Sequence, residues 1–304
     1  MLVGPHVSGV IPVHNEQDDV AELIRSLREV LAQPHEIIFI DDGSTDATWQ
    51  RLLALHEPGS VRLLRFRRNF GKTAALSAGF AAAQGAIVIT MDGDLQDDPK
   101  EIPRFLSELE QGADLVVGWK RRRHDPWHKV AASRLFNFVV ARSTGLALHD
   151  VNCGFKACRR EVVRDIRIYG EMHRFIPVLA AAKGYRVTEI EVAHHPRKHG
   201  RSKYGMDRLL KGFLDLVTVQ LNTRFGDRPA HGFGWAGLML FGAGAVAALL
   251  HFTNLHAFGF ALLAAMLGVA GFTFLAAGWV AEVALAQRGP AEPVPVYSIE
   301  EQLD

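Results

Sequence analysis

Apolar positions along the chain follow two rhythms, and the change between them comes near residue 232. Before it, short apolar runs alternate with stretches of helical spacing. Val7 to Val13, Glu36 to Ile40, Val61 to Phe66, Ala86 to Met91 and Leu115 to Val117 read as strands. Asp18 to Leu31 places Val20, Leu23, Ile24, Leu27 and Leu31 on one helical face. Further helices are predicted up to Leu55, capped by Ser44 or Thr45, then over Thr73 to Ala83 and Pro103 to Gln111. This alternation predicts an α/β fold with a parallel sheet covered on both faces. Ligands of such sheets bind at the carboxyl ends of the strands.

The middle of the chain is less regular. Arg121 to His128 is a basic loop, Val130 to Val140 an apolar-rich helix, and Tyr185 to Val192 a strand. Arg197 to Lys203 is basic again. Met206 to Leu221 has helical spacing, which suits an interfacial helix or one packed on the core. Two long apolar runs follow, Phe233 to Leu250 and Ala257 to Ala281, each near the ~20 residues that cross a bilayer. A helical hairpin buried in an oligomer would show the same pattern. Arg224 and Arg228 before the runs and Arg288 after them favour two crossings with both termini cytoplasmic. The expected division is a catalytic domain over 1–204, a juxtamembrane amphipathic region over 205–231, two transmembrane helices over 232–288 and a flexible tail over 289–304.

Composition narrows the function classes. The 304 residues carry 34 Lys and Arg against 33 Asp and Glu, so nothing marks a general nucleic-acid binder. Cys153 and Cys158 are too few for a four-ligand zinc site or a disulfide framework. The N-terminal stretch has no basic leader with a long apolar core, so the catalytic portion is expected to stay cytoplasmic.

Chemistry concentrates in acidic loops after two strands, at Asp41-Asp42-Gly43 and at Asp92-Gly93-Asp94. An isolated Asp-Gly is often a plain turn; two such clusters at one sheet edge suggest a site. Oxygen-only ligation suits Mg²⁺ or Mn²⁺, commonly completed by substrate phosphates. Gly71-Lys72-Thr73 is no phosphate loop, because Phe66 stands where that pattern needs glycine.

Pro12-Val13-His14-Asn15-Glu16, Asp41-Asp42-Gly43-Ser44-Thr45-Asp46 and Arg68-Asn69-Phe70-Gly71-Lys72, in that order before Asp92-Gly93-Asp94, resemble the motifs of family-2 glycosyltransferases. The resemblance implies a GT-A fold, a Rossmann-like domain that binds a nucleotide sugar through a divalent cation. On that basis Pro12, Val13, Asn15, Glu16 and Asp42 line the nucleoside pocket, and Asp92, Gly93 and Asp94 hold the diphosphate end. Asp92 and Asp94 form the metal set, with Asp92 facing the nucleotide and Gln96 a further metal ligand or a diphosphate contact. Lys72 is a phosphate contact or a structural lysine.

A closer resemblance is to polyprenyl-phosphate glycosyltransferases, including dolichyl-phosphate mannose synthases and bacterial bactoprenol glucosyltransferases. It is carried by Asp92 to Pro99, Val117 to Asn137, Asp150 to Lys156 and His199 to Tyr204. It implies Lys120, Arg122, Lys129, Ser133, Arg201 and Lys203 on the acceptor phosphate, with Arg174 a further candidate. A basic surface near anionic lipid would also explain these charges. Asp150 would orient the acceptor or sugar, or act as a base.

The expected activity is inverting transfer of a hexose from a nucleotide sugar to a polyprenyl (undecaprenyl-type) phosphate. UDP-glucose is favoured as donor and GDP-mannose comes next. Expected partners are the bilayer of a bacterial inner membrane and further copies of the chain, a tetramer among the options. Two alternatives stand beside this: direct transfer to a glycolipid or polysaccharide, and a non-catalytic nucleotide-sugar-binding scaffold.

Overall fold

The computed structural model describes residues 6–121, 137–196, 207–226, 228–255, 258–287 and 295–304. The chain divides into two compact units. One is Met1–Leu216 together with Pro295–Asp304, and the other is Val217–Val294.

The first unit is built on an eight-stranded sheet. In chain order its elements are β1 (Val7–Val13), α1 (Val20–Val30), β2 (His35–Asp41), α2 (Thr48–Leu55), β3 (Val61–Phe66), α3 (Lys72–Ala82) and β4 (Ile87–Thr90). There follow α4 (Ile102–Glu110), β5 (Leu115–Trp119), β6 (Lys156–Arg159), α5 (Arg160–Asp165), α6 (Ile176–Ala182), β7 (Val187–Glu191) and, from the far end of the chain, β8 (Ile299–Leu303). The sheet order is β7-β5-β6-β4-β1-β2-β3-β8. Strands β4, β1, β2 and β3 are mutually parallel, as the alternation predicts. β6 runs antiparallel to both β4 and β5, so β5 and its parallel partner β7 point the same way as the central strands. The carboxyl ends of six strands therefore share one edge.

The central strands are apolar because both their faces are covered. Val7, Val10, Ile11 and the run Ile37 to Ile40 are fully buried, and α1 seats Val20, Leu23, Ile24 and Leu27 on the sheet. Phe105 of α4 meets Phe155 just before β6, with ring centroids 4.3 Å apart.

Three expectations change. The α2 helix starts at Thr48, and Asp46 Oδ1 accepts from Thr48 N at 2.9 Å, while Ser44 and Thr45 are drawn to Asn15 instead. The sheet is mixed rather than wholly parallel, because β6 and β8 run antiparallel to their neighbours, and β6 is too short and polar at its ends to show a strand pattern. The tail is not loose where it is described. Residues 299–303 form β8, antiparallel to β3, with Leu63 opposite Leu303 and Phe66 opposite Ile299. Of the helix expected over 130–140, the described part is helical from 137 to 144.

The second unit holds two helices long and apolar enough to cross a membrane, over Pro229–Thr253 and Phe258–Leu285. They are α8 (Pro229–Leu250), prolonged by a π-helical turn at His251–Leu255, and α9 (Phe258–Ala286). A helix over Asp207–Phe225, α7, precedes them. Small residues bring α8 and α9 together. A Cβ on Gly237 would lie 2.8 Å from Gly271 O, and one on Gly271 would lie 2.9 Å from Gly237 O. Large apolar side chains such as Trp235, Met239, Met266 and Trp279 point outward. Glu282 lies inside the second span, and its Oε2 accepts from Ala230 N at 3.0 Å. That satisfies one of the amides left open at the start of α8.

Candidate active site

The loops after β1, β2 and β3 lock into one block. Asn15 takes a left-handed conformation, φ 57°, which a short amide side chain tolerates. Its N–H donates to Ser44 Oγ at 2.9 Å, and its Oδ1 accepts from Thr45 N at 2.8 Å. Glu16 N donates to Thr48 Oγ1 at 2.9 Å. Gly43, at φ 68°, lies so close to the next loop that a Cβ would sit 2.4 Å from the Arg68 carbonyl carbon. Asp42 closes the block: its two oxygens accept from Phe70 N at 2.7 Å and Gly71 N at 2.9 Å. Burial raises the pKa of Asp42, against the pull of those two amides. Asn15, Glu16 and Asp42 thus belong to one hydrogen-bonded block at the end of β1, where Pro12 and Val13 lie.

Asp92 follows β4 and enters the same edge. A Cβ on Gly93 would meet Val13 Cγ1 at 2.7 Å, so this loop lies directly against the end of β1. The Asp92 carboxylate is ion-paired with Lys72 at the start of α3, and 31% of its side-chain surface stays open. Burial works against its charge, but Lys72 and then Lys120 outweigh it and hold its pKa well below the usual carboxylate range. Gly154 makes room for the carboxylate, and Thr90 Oγ1 donates to Gly154 O at 2.7 Å.

The lysines form a second layer. Lys120 Nζ lies 2.6 Å from Oδ1 of the buried Asp97. Burial disfavours the Lys120 ammonium, yet Cys153, Asp97 and Asp92 together keep its pKa above the ordinary lysine value. The Cys153 thiol is itself pushed up to about 12 by burial, so near neutral pH the carboxylates carry that attraction. An acceptor phosphate at Lys120 would share the ammonium with Asp97. Lys156 on β6 is buried and donates to Cys153 O. Burial brings its pKa down to about 8, with Asp150 and Asp92 among the groups that oppose the fall. Asp150 is 1% exposed beside these groups. His173 shares a 2.7 Å hydrogen bond with Thr73 Oγ1, next to Lys72; burial and the Lys72 charge hold its pKa well below normal and keep it neutral. Arg174 is buried and donates to Glu171 Oε2 at 2.6 Å.

Asp94 is buried, and its Oδ1 accepts from Gln96 N at 3.2 Å. The loop beyond is fastened to the segment after β7. His195 N donates to Gln96 O at 2.9 Å, Gln96 Nε2 to His195 O at 3.4 Å, and Asp97 bridges His194. Among the described residues no three His, Cys, Asp or Glu side chains are gathered to hold an ion. Asp94 and Asp92 offer hard oxygen donors, with Lys72 already on Asp92. By donor type this set suits a divalent cation, whose remaining ligands would have to come from a substrate diphosphate and water.

Arg122, Lys129, Ser133, Arg201 and Lys203 lie outside the described residues. Sequence reasoning missed the roles of Thr73, His173, Lys156, His194 and His195. Of these only Thr73 and Lys156 lay within quoted segments, and none stands out by periodicity.

A family model described as Glycosyl transferase family 2 matches residues 8–167. A dodecaprenyl-phosphate galacturonate synthase of Rhizobium johnstonii is 42% identical over 253 residues, covering 80% of this chain and 74% of the relative. An undecaprenyl-phosphate 4-deoxy-4-formamido-L-arabinose transferase of Serratia proteamaculans is 40% identical over 222 residues, covering 71% of this chain and 68% of the relative. Among solved structures, glucosyl-3-phosphoglycerate synthase from Mycobacterium tuberculosis in complex with Mn²⁺ and UDP-glucose is similar, with a TM-score of 0.55 and 22% identity over 72% of this chain and 79% of that one. The likeness extends to the GT-A fold.

Proposed function

The chain belongs to glycosyltransferase family 2, and we propose that it moves a sugar from a nucleotide sugar to a polyprenyl phosphate, inverting the anomeric carbon. The observation that carries this reading is the convergence of four strand-end loops on Asp92 and Lys72, in a chain that also has two membrane-length helices. Both relatives are named for a sugar and a polyprenyl phosphate, which supports the acceptor class.

In this reading the block around Asn15 and Asp42 seats the nucleoside, and Asp94, Asp92 and Lys72 face the diphosphate. A divalent cation bound there supplies charge neutralisation for the leaving group. Mn²⁺ is favoured by the complexes of the solved relative, with Mg²⁺ as the alternative. An acceptor phosphate oxygen bonds to the anomeric carbon as the bond to the diphosphate breaks. The electron pair leaves with the nucleoside diphosphate. A phosphate monoester has a second pKa of about 6, so its oxygen is already ionised near neutrality and needs no strong base. Asp150 then orients the acceptor or sugar. Lys120, Arg122, Lys129, Ser133, Arg201 and Lys203 gather the lipid phosphate.

For the donor, UDP is the favoured nucleotide. The 42% identical relative puts galacturonic acid beside the glucose that the resemblance to bacterial glucosyltransferases favours, with GDP-mannose behind both. The enzyme sits in the membrane with both termini on the cytoplasmic side. Pairing of β8 with β3 supports the same-side part of this, because a tail that rejoins the sheet requires an even number of crossings.

The test is transfer of label from UDP-glucose, UDP-galacturonate, UDP-4-deoxy-4-formamido-L-arabinose and GDP-mannose to a short polyprenyl phosphate by full-length protein in detergent. Product from one donor, lost on chelation, supports the reading and names the sugar. Folded, nucleotide-binding protein that gives no lipid product with any donor overturns it in favour of a glycolipid acceptor or a scaffold.

A further inference from the structure

We infer that the C-terminal strand positions the donor-binding loop, and that Tyr297 is the positioning residue. The inference rests on the reading of Asp42 and residues 68–72 as donor-side elements. Phe66 ends β3, and the chain then turns directly into that loop. Tyr297 stacks on Phe66, with ring centroids 5.1 Å apart and an interplanar angle of 14°. Phe66 in turn meets Phe70 edge-on at 5.7 Å and 88°. The amides of Phe70 and Gly71 are the two that Asp42 holds. A line of contact thus runs from the tail through two aromatic rings to the carboxylate that joins the second and third loops.

The backbone adds to this. Arg67 N donates to Ser298 O at 3.1 Å, one residue past β3, and the pairing register shifts between Arg65 and Phe66. The far end of the strand is held by Arg62, whose Nε donates to Asp304 Oδ1 at 2.8 Å while its other arm reaches Glu36 Oε2 at 3.1 Å. Arg65 lies 3.7 Å from Glu300 and 3.9 Å from the buried Asp41. The Arg65 end of the strand is therefore tied to Asp41 on the nucleotide side, Arg62 and Glu36 anchor the opposite edge of the sheet, and Tyr297 is the part that bears on the loop itself. The tail acts on donor binding through Phe66 and Phe70.

The experiment uses the full chain in detergent and reads UDP and GDP affinity by calorimetry, together with steady-state kinetics. Tyr297→Ala should weaken nucleotide binding and raise the donor KM about three- to tenfold, the equivalent of one aromatic pair, with kcat within twofold of wild type. Tyr297→Phe, which keeps the stack, should restore both values. Tyr297→Leu keeps apolar bulk without the flat face and serves if the alanine variant is poorly folded. Unchanged nucleotide affinity in variants that fold overturns the inference, even with a lowered melting temperature, because the strand would then only close the sheet. Wild-type protein that binds neither nucleotide overturns the donor reading and this inference with it.

Discussion

Gly154→Ala isolates the placement of Asp92 by a single methyl group. A Cβ at 154 would lie 2.8 Å from Asp92 Oδ2, 2.9 Å from Oδ1 and 3.0 Å from Cγ. Retreat of the 154 backbone is opposed on two sides. Thr90 Oγ1 donates to Gly154 O at 2.7 Å, and Gly118 N donates to Phe155 O at 3.0 Å. The carboxylate must yield instead. An ordinary contact begins at 3.4 Å, so the required shift is about 0.6 Å (3.4 less 2.8). A misplacement of about 1 Å at a reacting centre costs roughly 10²-fold, so a loss of roughly ten- to a hundredfold in kcat/KM is expected, about 1.4 to 2.7 kcal/mol. The assay is labelled-sugar transfer to a short polyprenyl phosphate, with circular dichroism and thermal unfolding to show that the fold persists. Lys72→Met acts on the same carboxylate, so the double variant should lose less than the product of the single losses. A folded Gly154→Ala enzyme within twofold of wild type would refute the argument, since Asp92 could then be displaced without consequence.

Three further outcomes are expected. Lys156 has its folded pKa lowered to about 8 from 10.5, so the unfolded chain binds more protons between those values and stability should rise with pH across that window; denaturant midpoints in Lys156→Met should lose the rise, worth about 3 kcal/mol. Chelation should abolish transfer and Mn²⁺ restore it, whereas Asp94→Asn should stay inactive at any metal concentration; full activity in that variant would remove Asp94 from the metal set. Gly237→Leu places a side chain against Gly271 O at 2.8 Å, so it should force α8 and α9 apart and lower the detergent melting temperature, while Gly242→Leu, with nothing within 4 Å, should leave it unchanged.

How much of this was legible in the sequence depended on how local the cause was. Strands β1 to β4 and their helices appear in the apolar pattern because each buries its own face. The first three motif loops were recognisable as segments, and Asp92-Gly93-Asp94 stood out by composition. The pairing of Lys120 with Asp97 was not legible, because it depends on where β5 ends relative to β4. His173 meets Thr73 across a hundred residues, and a lone histidine near Arg174 carries no signal of that contact. β6 hides because Lys156 and Arg159 bracket only two apolar residues, and its strand character comes from neighbours on both sides. β8 hides for another reason: Ile299-Glu300-Glu301-Gln302-Leu303 is an exposed edge strand, so little of it is apolar.

That edge strand also sets an order of synthesis. The first 216 residues and the last ten make one unit, and the whole membrane hairpin is translated between them. While α8 and α9 are being inserted, β3 is an open edge, offering unpaired amides and carbonyls to any other extended chain. The residues that cover it are made only after the hairpin. Nascent protein stalled after α9 should therefore be the most aggregation-prone species in the life of this chain. Asp304→Ala would act on the same step, because it removes the side-chain carboxylate that Arg62 holds.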